Sequence, residues 1–148
     1  MAHLVFTTAL GRVAHLATLP AASDALILVP LEASGLVSDA TMRDYGTLAA
    51  ILAGPSSEQA TVGRKTLTGV TVTVDTATDR VAIDSDDITW TAPAGAAVGA
   101  VVICYDPDTG SGTDADLVPL TKHDLTWTPD GTDFTLQVAD FYRATSAA

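Results

Sequence analysis

The sequence predicts a mainly β protein: a β-sandwich or barrel-like domain of about eight short strands with one short α-helix. Three observations lead to this fold class. The apolar runs are of strand length, residues 70–74 alternate apolar and polar side chains, and Gly, Pro and Asp clusters separate the runs. Threonine, whose β-branched side chain favours extended backbone, occurs 22 times. A chain of 148 residues is the size of one domain, so we expect a single β-domain over 1–148.

The first strands are predicted at 12–19 and 25–31, joined by the turn-rich residues 20–24. The second strand is apolar on both faces and must therefore be covered on both sides, by this subunit or by another. One helix pattern follows at 44–53, with Asp44 as its cap, apolar residues spaced by three and four, and a Gly-Pro stop.

The remaining strands follow in the second half of the chain, separated by turn residues. We predict them at 65–74, 80–84, 88–91, 97–106, 117–120, 125–128 and 134–138. Residues 1–10 are expected to form an N-terminal arm and 144–148 a flexible tail.

Charge excludes several classes of partner. The net charge of −11 repels nucleic acid and anionic lipid headgroups. Sixteen of the 18 acidic residues are Asp, a turn residue, so the negative charge is expected in loops. No apolar run approaches the roughly 20 residues of a spanning helix, and the first residues do not have the pattern of a secretory signal peptide. We therefore expect neither a nucleic-acid nor a membrane partner.

Residues 106–116 are a candidate calcium site, because they hold four carboxylates and calcium prefers oxygen ligands. The segment lacks the final Glu and the flanking helices of an EF-hand, so a solvated loop is favoured there. The same interpretation applies to the cluster of Asp84, Asp86 and Asp87. No His, Cys or carboxylate pair has zinc-site spacing, and we expect no metal and no cofactor.

His123, next to Asp124, is a candidate general base, with Ser85 or Ser111 as the candidate nucleophile. No Gly-x-Ser-x-Gly turn is present, and adjacent strand residues point to opposite faces, so His123 is predicted to be structural. The single cysteine, Cys104, lies in an apolar run and is predicted to be a buried, inert thiol. The sequence therefore predicts no catalytic residue and no enzyme.

A short internal echo relates residues 87–93 to 124–129, each containing a Thr-Trp-Thr triplet. Two interpretations stay open. The two segments are either equivalent strand ends that lead into turns, or a duplicated surface in which Trp90 and Trp127 anchor a partner, since Trp is enriched at interface hot spots.

Six phrases spread over the chain carry a family resemblance. They are GRVAHLATLP (11–20), DALILVPLE (24–32), GRKTLTGVT (63–71), ITWTA (88–92), AVGAVVICYD (97–106) and VPLTKHD (118–124). Together they resemble a family of virion proteins from tailed phages of actinobacteria, over about residues 11–143. These are packing motifs, and the family pattern has no catalytic residue to carry over.

The resemblance implies a non-enzymatic virion structural protein. We expect a minor capsid or head-decoration protein, made in the bacterial host cytoplasm and located on the capsid exterior, where it binds the major capsid protein and stabilises the head. The virion setting and the excess of apolar strand surface over what one short helix at 44–53 can cover together predict a homo-oligomer, with a trimer favoured over a dimer or monomer. The alternatives are a tail-associated structural protein and a carbohydrate-binding module on the virion surface. Candidate interface residues are Leu4, Val5, Phe6, Leu26, Leu28, Val29, Trp90 and Trp127.

Overall fold

The computed structural model describes residues 3–146 and confirms the mainly β fold, with ten strands and three short α-helices in that range. The strands are β1 (His3–Val5), β2 (Ala25–Glu32), β3 (Lys65–Thr66), β4 (Thr71–Asp75), β5 (Arg80–Asp84), β6 (Ile88–Trp90), β7 (Val98–Asp106), β8 (Val118–Trp127), β9 (Phe134–Leu136) and β10 (Tyr142–Thr145). The helices are α1 (Val13–Ala17), α2 (Asp39–Met42) and α3 (Leu48–Leu52), preceded by a 3-10 turn at Thr7–Ala9. None of these helices is long and apolar enough to cross a membrane.

A five-stranded antiparallel sheet forms the centre of the molecule, in the order β1-β8-β7-β2-β3. Strand β2 pairs with β7 along its whole length, with Val29 opposite Val102. Two irregularities in the β7–β8 register shift the pairing of these long strands. The sheet places the first strand beside a strand of the last third of the sequence, because β1 pairs with β8.

The apolar strand β2 is covered on both faces by its own chain. Its side chains Leu26, Leu28, Val29 and Leu31 are all buried in the single core cluster. Helices α2 and α3 lie over one face of the sheet, where the backbone N–H of Leu48 donates to the carbonyl of Leu117. Residues 136–141 lie over the other face, around a small cavity. The second subunit that the sequence allowed as a cover for β2 is therefore not needed.

Two smaller sheets complete the fold: a three-stranded sheet in the order β10-β5-β4 and a two-stranded sheet of β6 and β9. The predicted turn at 75–79 joins β4 to β5, and the carboxylate of Asp75 accepts hydrogen bonds from the N–H groups of Ala77 and Thr78. Helix α1 packs against this hairpin. The small sheet is thus built from a local hairpin plus the last strand of the chain.

The strand predicted at 12–19 is wrong, because these residues form α1. Its buried residues Val13, Leu16 and Ala17 have the spacing of three and four that buries one side of a helix. The strands predicted at 25–31 and 80–84 are confirmed, as β2 and β5.

The single helix predicted at 44–53 is corrected to α3, which begins after Thr47 and ends at Leu52. The cap is Thr47, whose hydroxyl accepts from the N–H of Ala50. Asp44 is instead the acceptor of a hydrogen bond from Thr7. The strands predicted at 117–120 and 125–128 are one continuous strand, β8, because the polar residues between them are paired rather than solvated.

The N-terminal arm is corrected as well. Residues 3–5 pair with β8, and Phe6 is fully buried with its N–H bonded to the carbonyl of Leu120. The predicted tail begins inside β10, where Ala144 and Thr145 pair with β5. Residues 1–2 and 147–148 of the arm and tail lie outside the described residues.

Candidate interaction surface

The side chains expected at an interface lie mostly in the core. Six of the eight are buried, which leaves them unavailable to a partner: Leu4, Phe6, Leu26, Leu28, Val29 and Trp90. Val5 and Trp127 are half-buried. The physical reason is that sequence periodicity identifies an apolar strand but not the elements of the same chain that cover it.

The two tryptophans of the internal echo do come together, in one aromatic cluster with Phe134. The ring centroids of Trp90 and Trp127 are 5.5 Å apart, and those of Trp127 and Phe134 are 4.1 Å apart in a stacked arrangement. Trp90 is only 2% exposed and its Nε1–H donates to the carbonyl of Gly63. The cluster therefore packs β6, β8 and β9 together, and its rings face one another instead of forming an open platform for a sugar.

An uncovered apolar row crosses the end of the three-stranded sheet, and no feature of the sequence marked it in advance. Val74 of β4 is opposite Val81 of β5, which is opposite Ala144 of β10. Val74 is 69% exposed, the most exposed large hydrophobic side chain among the described residues. One row further in, Val72 is half-buried and Ile83 is completely buried. The apolar face of this sheet thus extends beyond the body of the domain.

The same sheet has an open edge. Strand β4 pairs with β5 alone, and within residues 3–146 no strand pairs with its other side. Its sequence, Thr-Val-Thr-Val-Asp, contains neither Pro nor Lys, the residues that usually block such an edge. The apolar row and the open edge of β4 meet at Val74; we call the two together the β4 surface.

The Asp-rich loop at 106–116 is built around internal hydrogen bonds. Asp108 accepts from the N–H groups of Gly110 and Ser111, and Asp116 accepts from Thr113. Asp114 is 2.6 Å from Nη1 of Arg64, whose Nη2 is also 2.6 Å from Glu58. Hydrogen bonds to Glu58 and then Asp114 raise the pKa of Arg64. The carboxylates of this loop therefore shape turns and bind one guanidinium, and in residues 3–146 no three metal-ligating side chains converge.

A buried lysine connects the main sheet to α2. The ammonium of Lys122 is 2.6 Å from Asp39 and also contacts Asp124. Its side chain is 4% exposed, whereas both carboxylates are 39% exposed. Burial alone lowers the pKa of Lys122, but the hydrogen bonds to Asp124 and Asp39 outweigh it and raise the pKa above its ordinary value.

The histidine at 123 has a partner that sequence reasoning missed. Nδ1 of His123 is 2.6 Å from Nδ1 of His3, and Nε2 of His123 is 2.9 Å from the hydroxyl of Thr121. Asp124 does not bond to His123 and pairs with Lys122 instead, as the predicted opposite orientation of adjacent strand residues requires. The pair lies at the rim of a cavity of about 180 Å³ whose other walls are mostly apolar.

The thiol of Cys104 is buried, as predicted, and burial raises its pKa. At neutral pH it is therefore protonated and a poor nucleophile. Ser85 donates to the carbonyl of Asp86 and Ser111 to the carboxylate of Asp108, so neither hydroxyl is hydrogen-bonded to a histidine.

Comparison with protein families, with curated proteins and with solved structures finds no significant match to this chain.

Proposed function

We propose that this protein is a non-enzymatic structural component of a phage virion, a minor capsid or decoration protein on the capsid exterior. Its partner is the major capsid protein, and its role is to stabilise the assembled head. The family resemblance over about residues 11–143 suggests this role. The structural observation that carries it is the β4 surface, an apolar and unpaired strand edge on an otherwise compact domain.

The β4 surface suits attachment to a lattice for two reasons. An open edge offers unpaired backbone N–H and C=O groups to an extended segment of another chain. The exposed Val74 offers apolar area beside that edge, worth about 25 cal/mol for each Å² removed from water. Both interactions are short-ranged, so they act despite the net charge of −11 that makes neighbouring copies repel one another.

Stabilisation then follows from linkage. A protein that binds only the assembled lattice lowers the free energy of that state by its own binding free energy at each site. Many copies add to a large effect, while the pathway of assembly is unchanged. We expect heads that lack the protein to form normally and to be disrupted at a lower temperature.

The proposal of a homo-oligomer, with a trimer favoured, needs a different basis from the one the sequence offered. The excess apolar surface of β2 is covered within the chain, so it gives no reason for a second subunit. The open edge of β4 is assigned to the major capsid protein, so contacts between copies have to use another surface. Multi-angle light scattering of the isolated protein measures the oligomeric state directly.

Cryo-electron microscopy of intact particles from the phage that encodes the chain tests the proposal. We expect density for the protein on the outer surface of the head, with β4 against the major capsid protein. Density found only on the tail would replace the proposal with the tail-associated alternative. A particle that lacks the protein would reject both.

A binding measurement tests the β4 surface itself. Heads stripped of the protein are mixed with wild type, Val74→Lys or Leu10→Lys, and bound protein is measured by sedimentation. Leu10 is a matched control, since it is 62% exposed and lies in the turn before α1, outside the residues that define the β4 surface. We expect Val74→Lys to weaken binding at least about tenfold, since Lys on a strand edge opposes pairing, and Leu10→Lys to bind like wild type.

Salt distinguishes this apolar docking from charge attraction. Because copies of the protein repel one another, raising the ionic strength to physiological values should strengthen binding or leave it unchanged. Equal binding by the two lysine variants, or loss of binding at modest salt, would contradict the β4 surface as the docking site.

A further inference from the structure

Two histidines from distant parts of the chain meet at the edge of the main sheet. His3 of β1 and His123 of β8 are opposite each other in the antiparallel ladder, with their Nδ1 atoms 2.6 Å apart. At this distance one Nδ1–H donates to the other Nδ1. His123 is buried, and its second nitrogen is hydrogen-bonded to Thr121, so both nitrogens of the buried ring have partners.

The hydrogen bond between the two rings persists when the pair takes up one proton, but not when it takes up two. One added proton keeps the bond, because the Nδ1–H of the charged ring still donates to Nδ1 of the neutral ring. A second proton, on His123, points two N–H groups at each other and leaves no acceptor between them. Two like charges then face each other with ring centroids 4.7 Å apart. The second proton therefore breaks the contact.

We propose that the His3–His123 contact is an acid-sensitive clasp, which holds β1 on the main sheet at neutral pH and releases it when both rings are charged. Strand β1 is suited to local release because it is three residues long, lies at the edge of the sheet and buries only Leu4 well. Phe6, fully buried, fixes the chain immediately after it. Opening is thus confined to the residues before Phe6.

Release of β1 changes what the main sheet offers to other molecules. Residues 121–123 of β8 lose their partners on one side, and β8 becomes the edge of the sheet. A free edge of this kind accepts an extended segment of another chain. The cavities beside the two histidines, which His3 lines, also lose one wall.

The charged groups near the two histidines are paired with one another. On the same strand, Lys122 and Asp124 flank His123 and pair with each other. Asp140, which precedes β10, and Arg143 of β10 line the adjoining cavity and form their own ion pair. Across β7, the residue opposite is the apolar Val101.

Burial is the main cause that lowers the pKa of His123, to about 4, and His3 and Lys122 add to it while Asp124 opposes it. This pKa lies below the value of 6.5 for a free ring, so the released state binds protons more readily than the closed one. The clasp is therefore fully effective above about pH 6.5 and is lost as the pH falls towards 4. With His123 fully exposed to water in the released state, the ratio of released to closed β1 should rise about 20-fold at pH 5 and about 100-fold at pH 4 relative to pH 7.

Hydrogen exchange followed by NMR on the full chain tests the clasp. Protection factors are measured from pH 7 to pH 4 for the amides shared by β1 and β8, with those shared by β2 and β7 as the internal reference. In the wild type we expect the β1–β8 amides to lose about 100-fold in protection relative to the reference, and the ring signals of His123 to titrate over the same pH range.

Two variants separate the clasp from general acid sensitivity. His3→Gln removes the second charge and leaves an amide that can bond either form of His123, so the relative loss should be several-fold smaller than in the wild type, while the part that comes from the burial of His123 remains. His15→Gln removes an exposed histidine on α1 and should behave like the wild type. Each variant is compared with itself across pH, so lower protection at pH 7 does not obscure the result. An unchanged transition in His3→Gln, or no preferential loss in the wild type, would overturn the proposal.

Discussion

Removing the partners of the buried Lys122 should destabilise the protein more than removing the lysine. We consider Asp39→Asn, Asp124→Asn, their combination, and Lys122→Met. The ammonium side chain is 4% exposed and both carboxylates are 39% exposed, so water screens the partners but not the cation. The double Asn variant leaves a buried charge without a counter-charge, whereas Lys122→Met removes the charge together with its desolvation cost.

The magnitudes follow from that asymmetry. Breaking a fully buried pair costs about 3–5 kcal/mol, and because the carboxylates are partly exposed we expect about 3 kcal/mol for the double Asn variant. Each single Asn variant keeps one carboxylate on the ammonium and should cost about 1 kcal/mol. Lys122→Met should lie within about 1 kcal/mol of the wild type, since apolar replacement of a buried ion is often close to neutral.

Urea denaturation followed by circular dichroism measures these differences, provided that the slope of the free energy with urea is the same for all variants. The double Asn variant should cost more than the sum of the two single variants. The exposed pair of Arg143 with Asp140 supplies a control, and Arg143→Gln should change stability by less than about 0.5 kcal/mol. If Lys122→Met cost as much as the double variant, the stabilisation would come from the ion pair itself and the argument would be refuted.

Three further substitutions test the fold by the same urea assay. Gly35 has φ +77°, and an added Cβ would lie 2.4 Å from the backbone carbonyl oxygen of Pro55, so Gly35→Ala should cost about 2 kcal/mol. Gly11→Ala, at φ +76° with open space around it, should cost only about 1 kcal/mol, and equal losses would contradict the steric argument. Arg64→Lys replaces a planar group that binds two carboxylates with a point charge and should cost about 1 kcal/mol. No loss would mean that Arg64 does not fasten the Asp-rich loop.

Local patterns predicted the parts of the fold whose partners are adjacent in sequence. The hairpin of β4 and β5 and the apolar strand β2 follow from alternation, apolar content and turn residues, which are properties of short windows. Helix α1 was predicted as a strand because the helical spacing of Val13, Leu16 and Ala17 extends over only five residues. The turn residues beside this segment favoured a short strand. The spacing was present in the sequence and could have been found.

The side-chain contacts were harder to predict because they join residues that are distant in sequence. Lys122 and Asp39 are 83 positions apart and His3 and His123 are 120 apart, and no local pattern relates them. The apolar residues of β2 were expected at an interface because a sequence shows which side chains need covering but not what covers them. Val74 lies on the same face of the sheet as Val72, as the alternation of residues 70–74 predicts. It is 69% exposed because the register places it beyond the part of the domain that could bury it.

Acid should act on this protein in two steps, because His123 and a set of turn aspartates take up protons in different pH ranges. The first step is the local release of β1, as the pH falls from about 6.5 towards 4. The second involves turn aspartates whose pKa values are lowered by hydrogen bonds that the carboxylates accept from backbone N–H and hydroxyl groups: Asp24, Asp75, Asp108, Asp116 and Asp130. Their folded pKa values lie below the ordinary 3.8, so the stability they contribute is present above that value and is lost only as the pH falls further. Around pH 4 the protein should therefore keep its turns, while the ratio of released to closed β1 is about 100-fold higher than at pH 7.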